Sequence, residues 1–374
     1  MTEYRTETVF TWGAPPLKFG VGALDEIGFD CAQLGLERVL IVTDEGVAAT
    51  GVPHRAAESM QHAGLKPTVF AGVHVEPTDA SFRAAAEFAR DTDWDGFVAV
   101  GGGSSIDTAK AINLLTANPG ELMDYVNKPV LAVVDPLTTL TLPPHVTASC
   151  GMDVLCHALE SYTARHYRSY PRRRPEQRAV YVGNNPVSDA FIERALPLLS
   201  RSFRRAVLTG DDLDARTDML LAASFAGMGF GNAGVHLPHA CGYPIAGRVT
   251  HYRPPDYPQA EAMVPHGESV ALTAPAAFRF TFPTDPERHL RAAELLDPSA
   301  GQVKDPRDRL PQAIVSLMRD IGLPNGLTDV GYVHADIPDL VAGALKQQRI
   351  LAMAPRDVMA EDLEAIFASS MRNR

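Results

Sequence analysis

Short apolar runs alternate with amphipathic ones over the first third of the chain. RVLIVTDEG (38–46) has the character of a buried strand ending at a turn, and KPTVF (66–70) is a second strand. Between them, HRAAESMQHAG (54–64) has helical spacing and closes on Gly64. PTDASFRAAAEFARDTD (77–93) repeats that spacing, with Asp79 or Ser81 placed to cap it. GFVAVGGGSSIDTAKAINLL (96–115) reads as a strand, a glycine turn and a helix. Strand–helix alternation of this kind predicts a parallel sheet with helices on its faces. After PVLAVVDP (129–136) the pattern changes. From about Pro144 the runs are long and helical, as in VSDAFIERALPLLSRSFRRAV (187–207) and DLDARTDMLLAASFAGM (212–228). The expected fold is therefore α/β, with a parallel-sheet domain over 1–143 and an all-α domain over 144–374.

Composition narrows the function. At 374 residues, 45% hydrophobic and 21% charged, the chain is of ordinary globular type and large enough for two domains. A net charge of −11 and a pI near 5.5 argue against nucleic acid as a partner. No stretch approaches 18 uncharged apolar residues, which argues against a membrane span. Four cysteines without CxxC spacing, and an N-terminal stretch without an apolar signal core, point to a reducing, cytoplasmic setting. Any anionic substrate must be drawn in by local positive groups, and RHYRSYPRRRPEQR (165–178), with six arginines, is the one basic run. It reads first as a solvated loop.

Two features carry candidate chemistry. In VGGGSSID (100–107), glycines between a strand and a helix starting near Ser104 or Ser105 let backbone N–H groups approach a phosphate. Asp44, at the end of a strand, suits either a ribose hydroxyl or a helix cap. In GMDVLCHALESYT (151–163), Asp153 and His157 stand four residues apart on one face of an apolar helix. They either ligate a metal or satisfy each other. GNAGVHLPHACGYP (231–244) adds His236 and His239, and AMVPHGESV (262–270) adds His266. Three imidazoles and one carboxylate would hold Fe²⁺ or Zn²⁺ and leave room for a substrate oxygen. Cys150, Cys156 and Cys241 read as packing residues beside this site, and the loop 251–265 reads as either a lid or a plain surface loop.

The stretches GGGSSIDTAKA, GMDVLCHALESYT, GFGNAGVHLPHACGYPIAG and VPHGESV together resemble the iron-dependent alcohol dehydrogenase family. CHALESYT, GNNPVSDAF, SFAGMGFGNAGVHLPH and EDLEAIFASSM resemble its hydroxyacid–oxoacid transhydrogenase branch. The resemblance implies a nucleotide-binding domain followed by a metal-binding domain. It implies Asp153, His157, His239 and His266 as metal ligands, with His236 outside the set. Gly101, Gly102, Gly103, Ser104 and Asp107 would serve the phosphate turn, and Asp44 the ribose. Tyr243 stands where the wider family often has a histidine that relays protons. The implied cofactors are a divalent metal, Fe²⁺ before Zn²⁺, and NAD(H), in a homo-oligomer expected to be a dimer. The implied reaction is hydride transfer from 3- or 4-hydroxybutyrate to 2-oxoglutarate through bound NAD. An ordinary iron-dependent NAD(P) alcohol dehydrogenase stays open as an alternative. So does a non-catalytic metal-binding protein that has lost its nucleotide site, because one family feature is missing. DYVNKP (124–129) runs almost directly into VLAVVDPLTTLTLPP (130–144), with no TTxGTGSE-like loop, as if roughly fifty residues of the dinucleotide fold were absent.

Overall fold

Val39, Leu40, Ile41 and Val42 exclude solvent completely. Four consecutive apolar residues of this kind suit a strand buried on both faces. The computed structural model describes residues 13–14, 17–90, 92–117, 132–171 and 181–373. Two units emerge: residues 15–141, and residues 142–374 together with the chain before residue 15. In the first unit the strands are β1 (Leu17–Phe19), β2 (Arg38–Val42), β3 (Lys66–Phe70), β4 (Gly96–Ala99) and β5 (Ala132–Val134). β2 lies between β3 and β4, all parallel, with Leu40 opposite both Thr68 and Phe97. β1 pairs in parallel with β5.

The unit's helices are α1 (Ile27–Gln33), α2 (Glu45–Ala49), α3 (Val52–His62), α4 (Asp79–Ala89) and α5 (Gly103–Ala117). Side chains of β2 alternate between faces, as a strand's must. Val39 and Ile41 pack with Ala56 and Met60 of α3, while Leu40 and Val42 pack with Ala85 of α4 and Ile112 of α5. The sheet is thus covered on both sides, as strand–helix alternation requires. The cap of α4 differs from expectation. Thr78 supplies it, accepting the Ser81 N–H at 3.1 Å while Ser81 Oγ accepts the Thr78 N–H at 2.9 Å. Ser81 thus closes a reciprocal box and Asp79 becomes the first helical residue. The junction expected near 129–130 lies outside the described residues.

The second unit comprises α6 (Pro144–Thr163), α7 (Pro186–Leu208), α8 (Leu213–Ala233), α9 (Leu237–Arg248), α10 (His266–Thr281), α11 (Pro286–Leu296), α12 (Arg309–Asp320), α13 (Ile337–Leu345), α14 (Gln348–Leu351) and α15 (Ala360–Ser369). Asn185 caps α7 ahead of Pro186, and Asp212 caps α8 by accepting the Ala215 N–H at 2.9 Å. α6 runs through the core. Its Met152, Leu155, Cys156 and Leu159 are fully buried in one cluster with Ile192 and Phe203 of α7 and with Val270 and Phe278 of α10. A helix buried nearly all round can hold a polar group only where that group finds partners.

Candidate active site

α6 turns Asp153, His157 and Glu160 onto one face, spaced by four and then three residues. α9 and α10 bring their first turns against it. Gly267 explains how closely α10 approaches: a Cβ there would lie 2.0 Å from the Ser149 carbonyl oxygen and 2.9 Å from the Asp153 Cβ. His266 is thereby set beside Asp153, Nε2 to Oδ1 at 3.6 Å. His239 Nε2 stands 3.4 Å from the same oxygen, and His157 Nδ1 stands 3.6 Å from Oδ2. The His157 and His239 rings stack at 4.5 Å, and His266 meets His239 edge-on at 5.3 Å. Ligand atoms of Asp153, His157 and His239 all lie within 4.8 Å of one another.

Two atoms at this centre, Asp153 Oδ1 and His239 Nε2, are buried without a hydrogen-bond partner. Stranded polar atoms are costly, and a cation between these two would satisfy both. The donor set, three imidazoles and a carboxylate, fits such an ion. Burial pushes the Asp153 carboxyl up, but the surrounding imidazoles of His157, His239 and His266 outweigh it and hold the group well below its ordinary range. Burial brings His157 down to about 4 against the pull of Asp153. His239 goes the other way. Burial is outweighed by Glu160 and Asp153, and its imidazolium persists to about 10 when no cation is bound.

Glu160 is the residue that sequence reasoning missed. It is fully buried, and its Oε1 accepts the His239 Nδ1–H at 2.6 Å. Its Oε2 accepts the His236 backbone N–H at 2.5 Å. A carboxylate on Nδ1 fixes the tautomer that leaves Nε2 free to ligate. The signal was present in the sequence, since 153, 157 and 160 share one helical face. His236 is excluded as a ligand by its own bonds. Nδ1 accepts the Leu237 N–H at 2.8 Å, so Nε2 carries the proton and donates to Thr163 Oγ1 at 3.1 Å.

A cavity of about 130 Å³ opens on the cluster, lined by His157, His239 and His266 and by Tyr243, Phe230 and Arg349, among others. The Tyr243 ring lies 5.8 Å from that of His266, and burial with Asp153 and Glu160 nearby raises its hydroxyl above the usual range. The basic run does not contribute through its described arginines. Arg165 pairs with Asp357 at 2.7 Å, Arg168 lies over the Tyr167 ring, and residues 172–180 lie outside the described residues. No residue of the 251–265 loop lines the cavity. Cys156 and Cys241 are buried thiols, while Cys150 is exposed.

In the sheet unit, the glycine turn follows β4 and Asp44 follows the neighbouring β2, at the carboxyl ends where parallel sheets bind ligands. Gly101 has φ +150°, and a Cβ there would meet Ser105 Oγ at 2.5 Å and Asp44 Oδ2 at 3.8 Å. A Cβ at Gly102 or Gly103 would meet nothing within 4 Å, so that backbone is open to a ligand. Asp44 caps α2, with Oδ1 accepting the Val47 N–H at 2.9 Å, which leaves Oδ2 toward the turn. α5 begins at Gly103, a residue earlier than expected. Ser104 Oγ accepts the Glu76 N–H at 3.1 Å, and Asp107 pairs with Lys110 at 3.1 Å on an exposed surface. Neither side chain of this last pair of candidates is aimed at the turn by these contacts.

Residues 15–172 match the family described as iron-containing alcohol dehydrogenase, and residues 178–371 match the C-terminal part of the Fe-containing alcohol dehydrogenase family. The mitochondrial hydroxyacid-oxoacid transhydrogenase of Bos taurus is 38% identical over 423 residues, covering 98% of this chain and 91% of that protein. Its counterpart in Rattus norvegicus is 39% identical with the same coverage. Among solved structures, 1,3-propanediol oxidoreductase superimposes with a TM-score of 0.84 at 27% identity, over 97% of this chain and all of the other. A match over 423 residues against a chain of 374 leaves at least 49 positions without a counterpart, the size of the segment expected to be missing. The relatives are designated mitochondrial, so they lend no support to a cytoplasmic location. No described helix is long and apolar enough to cross a membrane.

Proposed function

The chain belongs to the iron-containing alcohol dehydrogenase family, a family of oxidoreductases, and from that premise we propose that it is a metal-dependent hydroxyacid–oxoacid transhydrogenase. The proposed donor is 3- or 4-hydroxybutyrate and the acceptor 2-oxoglutarate, with NAD(H) retained between the half-reactions. The observation that carries this reading is the pair of stranded atoms, Asp153 Oδ1 and His239 Nε2, inside a cluster of matching donors. Asp153, His157, His239 and His266 would hold one Fe²⁺ or Zn²⁺. When bound, the cation supplies Lewis acidity to a substrate oxygen and the nicotinamide supplies a hydride carrier. Glu160 keeps the His239 proton on Nδ1. Tyr243, protonated at neutral pH, offers a hydroxyl at the cavity wall to pass a proton. Phe230 stacks on His157 at 4.0 Å and keeps water from that side of the cluster. Gly101, Gly102 and Gly103 form the phosphate turn, with the Asp44 Oδ2 oxygen beside it for a ribose hydroxyl. Ser104 and Asp107 belong to the turn through position alone. The active form is a homodimer in a reducing compartment.

The test is exchange without added nucleotide. Purified protein given 4-hydroxybutyrate and 2-oxoglutarate should yield aldehyde and 2-hydroxyglutarate in equal amounts, with about one metal per chain by elemental analysis. Oxidation that depends on added NAD⁺ and ignores the oxo acid would make it an ordinary dehydrogenase. The shortened sheet unit favours one further reading, a metal-binding protein without turnover. Failure to bind NAD(H) at millimolar concentration would establish that reading instead.

A further inference from the structure

Sequence reasoning sought a positive group for an acidic substrate in the 165–178 run, whose described arginines are engaged elsewhere. A different arginine reaches the cavity. Arg349 comes from α14, a helix of four residues nearly two hundred positions beyond Asp153 in sequence, and it lines the same cavity as His157, His239, His266 and Tyr243. Among the described residues it makes no ion pair. Its guanidinium lies over the Tyr181 ring at 5.3 Å, a contact that steadies one face of the plane and leaves its N–H edge available.

The segment bearing Arg349 is anchored. Ile350 and Leu351 donate backbone N–H groups to Gln347 O at 3.0 and 2.9 Å, and Met353 O accepts the Arg165 N–H at 2.8 Å, at the end of α6. The remaining walls include apolar Val235, Ile350 and Met353. The cavity thus presents the imidazoles of the cluster, a guanidinium and apolar side chains on the same wall set. On a chain with a net charge of −11, a guanidinium that lines such a cavity without an ion pair among the described residues is the local positive group an anionic substrate needs.

We infer that Arg349, steadied by Tyr181, binds the carboxylate of the substrate and selects hydroxy and oxo acids over neutral alcohols. This rests on the transhydrogenase reading above and names the residue that sets its substrate class. A guanidinium engages a carboxylate through two parallel N–H···O bonds, a geometry lysine cannot copy.

The experiment uses the metal-loaded full chain and reads equilibrium binding as well as turnover. Calorimetry with 4-hydroxybutyrate and with 2-oxoglutarate is compared for the parent protein, Arg349→Gln and Arg349→Lys, alongside kinetics with 4-hydroxybutyrate and with 1-butanol. Arg349→Gln should weaken binding of both acids about ten- to a hundredfold, a charge-assisted bidentate bond being lost. Arg349→Lys should recover only part of that loss. The KM for the acid should rise far more than kcat falls, and the acid-to-alcohol ratio of kcat/KM should drop by a similar factor. If the parent binds the acids and Arg349→Gln binds them within twofold as well, the role of Arg349 is overturned while the transhydrogenase reading stands. If the parent binds neither acid, that reading falls and takes this inference with it.

Discussion

Replacing Glu160 with glutamine tests the centre most directly, because the substitution keeps shape and removes one charge. The carboxylate has two tasks at once: one oxygen accepts the His236 backbone N–H and the other accepts the His239 Nδ1–H. An amide can perform only one of them. If its oxygen stays on the backbone N–H at the start of α9, its NH₂ faces His239 Nδ1. That nitrogen must then accept, and the imidazole proton moves to Nε2, the atom aimed at Asp153 Oδ1. The ring is held in the tautomer that cannot ligate. If the amide flips, an unpaired N–H of His236 is buried instead, at a cost of about 1–3 kcal/mol. Either route falls within the about ten- to a hundredfold loss of metal affinity typical when a carboxylate behind a ligating histidine is removed.

The loss should also depend on pH. Without Glu160, His239 is a weaker base and competes less for protons, so part of the deficit is masked at pH 7 and uncovered at pH 9. Chelator competition with Zn²⁺ or Co²⁺ at both pH values measures this. A circular-dichroism melt of the metal-free variant separates ligand loss from unfolding. A folded E160Q protein whose metal affinity stays within twofold of the parent at both pH values would falsify the orienting role.

Three further outcomes follow from the same geometry. Gly267→Ala should cost about 1–3 kcal/mol in thermal or urea unfolding and displace His266, because a methyl 2.0 Å from the Ser149 oxygen forces α10 off α6; unchanged stability and metal affinity would refute the close approach. With His239 raised to about 10 and His157 lowered to about 4, His239 must give up a proton to ligate between pH 7 and 9 and His157 need not. Metal binding should then release about one proton per ion and tighten about tenfold per pH unit in that window, as calorimetry in buffers of different ionisation heat will read; release of none would contradict the assignment. Gly101→Ala, at φ +150° against Ser105, should cost about 1–3 kcal/mol of backbone strain and reduce NAD(H) retention. Its metal affinity should stay within twofold, since all four proposed ligands come from residues 142–374.

The sheet unit was readable because burial and periodicity agree there. A continuous apolar run such as 39–42 has one comfortable place, the middle of a covered parallel sheet, and helical spacing at 54–64 supplies the cover. End positions were less readable, since they depend on which of several small polar residues wins the first free N–H. Thr78 took that role from Asp79 and Ser81 because Ser81 at the third helical position could answer it. Asp44 shows a limit of another kind. The cap and the proposed ribose contact looked like rivals, yet Oδ1 serves α2 while Oδ2 faces the glycine turn, so capping does not use up the oxygen that the proposal needs.

At the candidate site, legibility follows the length of the element that carries each residue. Asp153, His157 and Glu160 ride on a twenty-residue helix whose period fixes their common face before any tertiary contact forms. His239 lies in the first turn of α9 and His266 opens α10, and histidines at helix starts near glycine stand out in a sequence. Arg349 has no such frame. It sits on a single turn whose direction is set by hydrogen bonds to Gln347 and to the end of α6, and no local pattern records those contacts. The arginine-rich run attracted attention by composition, but Arg165 is committed to Asp357 and Arg168 to its neighbour's ring. Charge density along a chain says little about where a charge is needed: the two described arginines of the run have nearby partners, while Arg349, distant in sequence, lines the cavity. On the proposed reading, a long buried helix fixes the metal-binding face, while a short, irregular segment fixes which substrate is admitted. The second kind of information has to be read from packing.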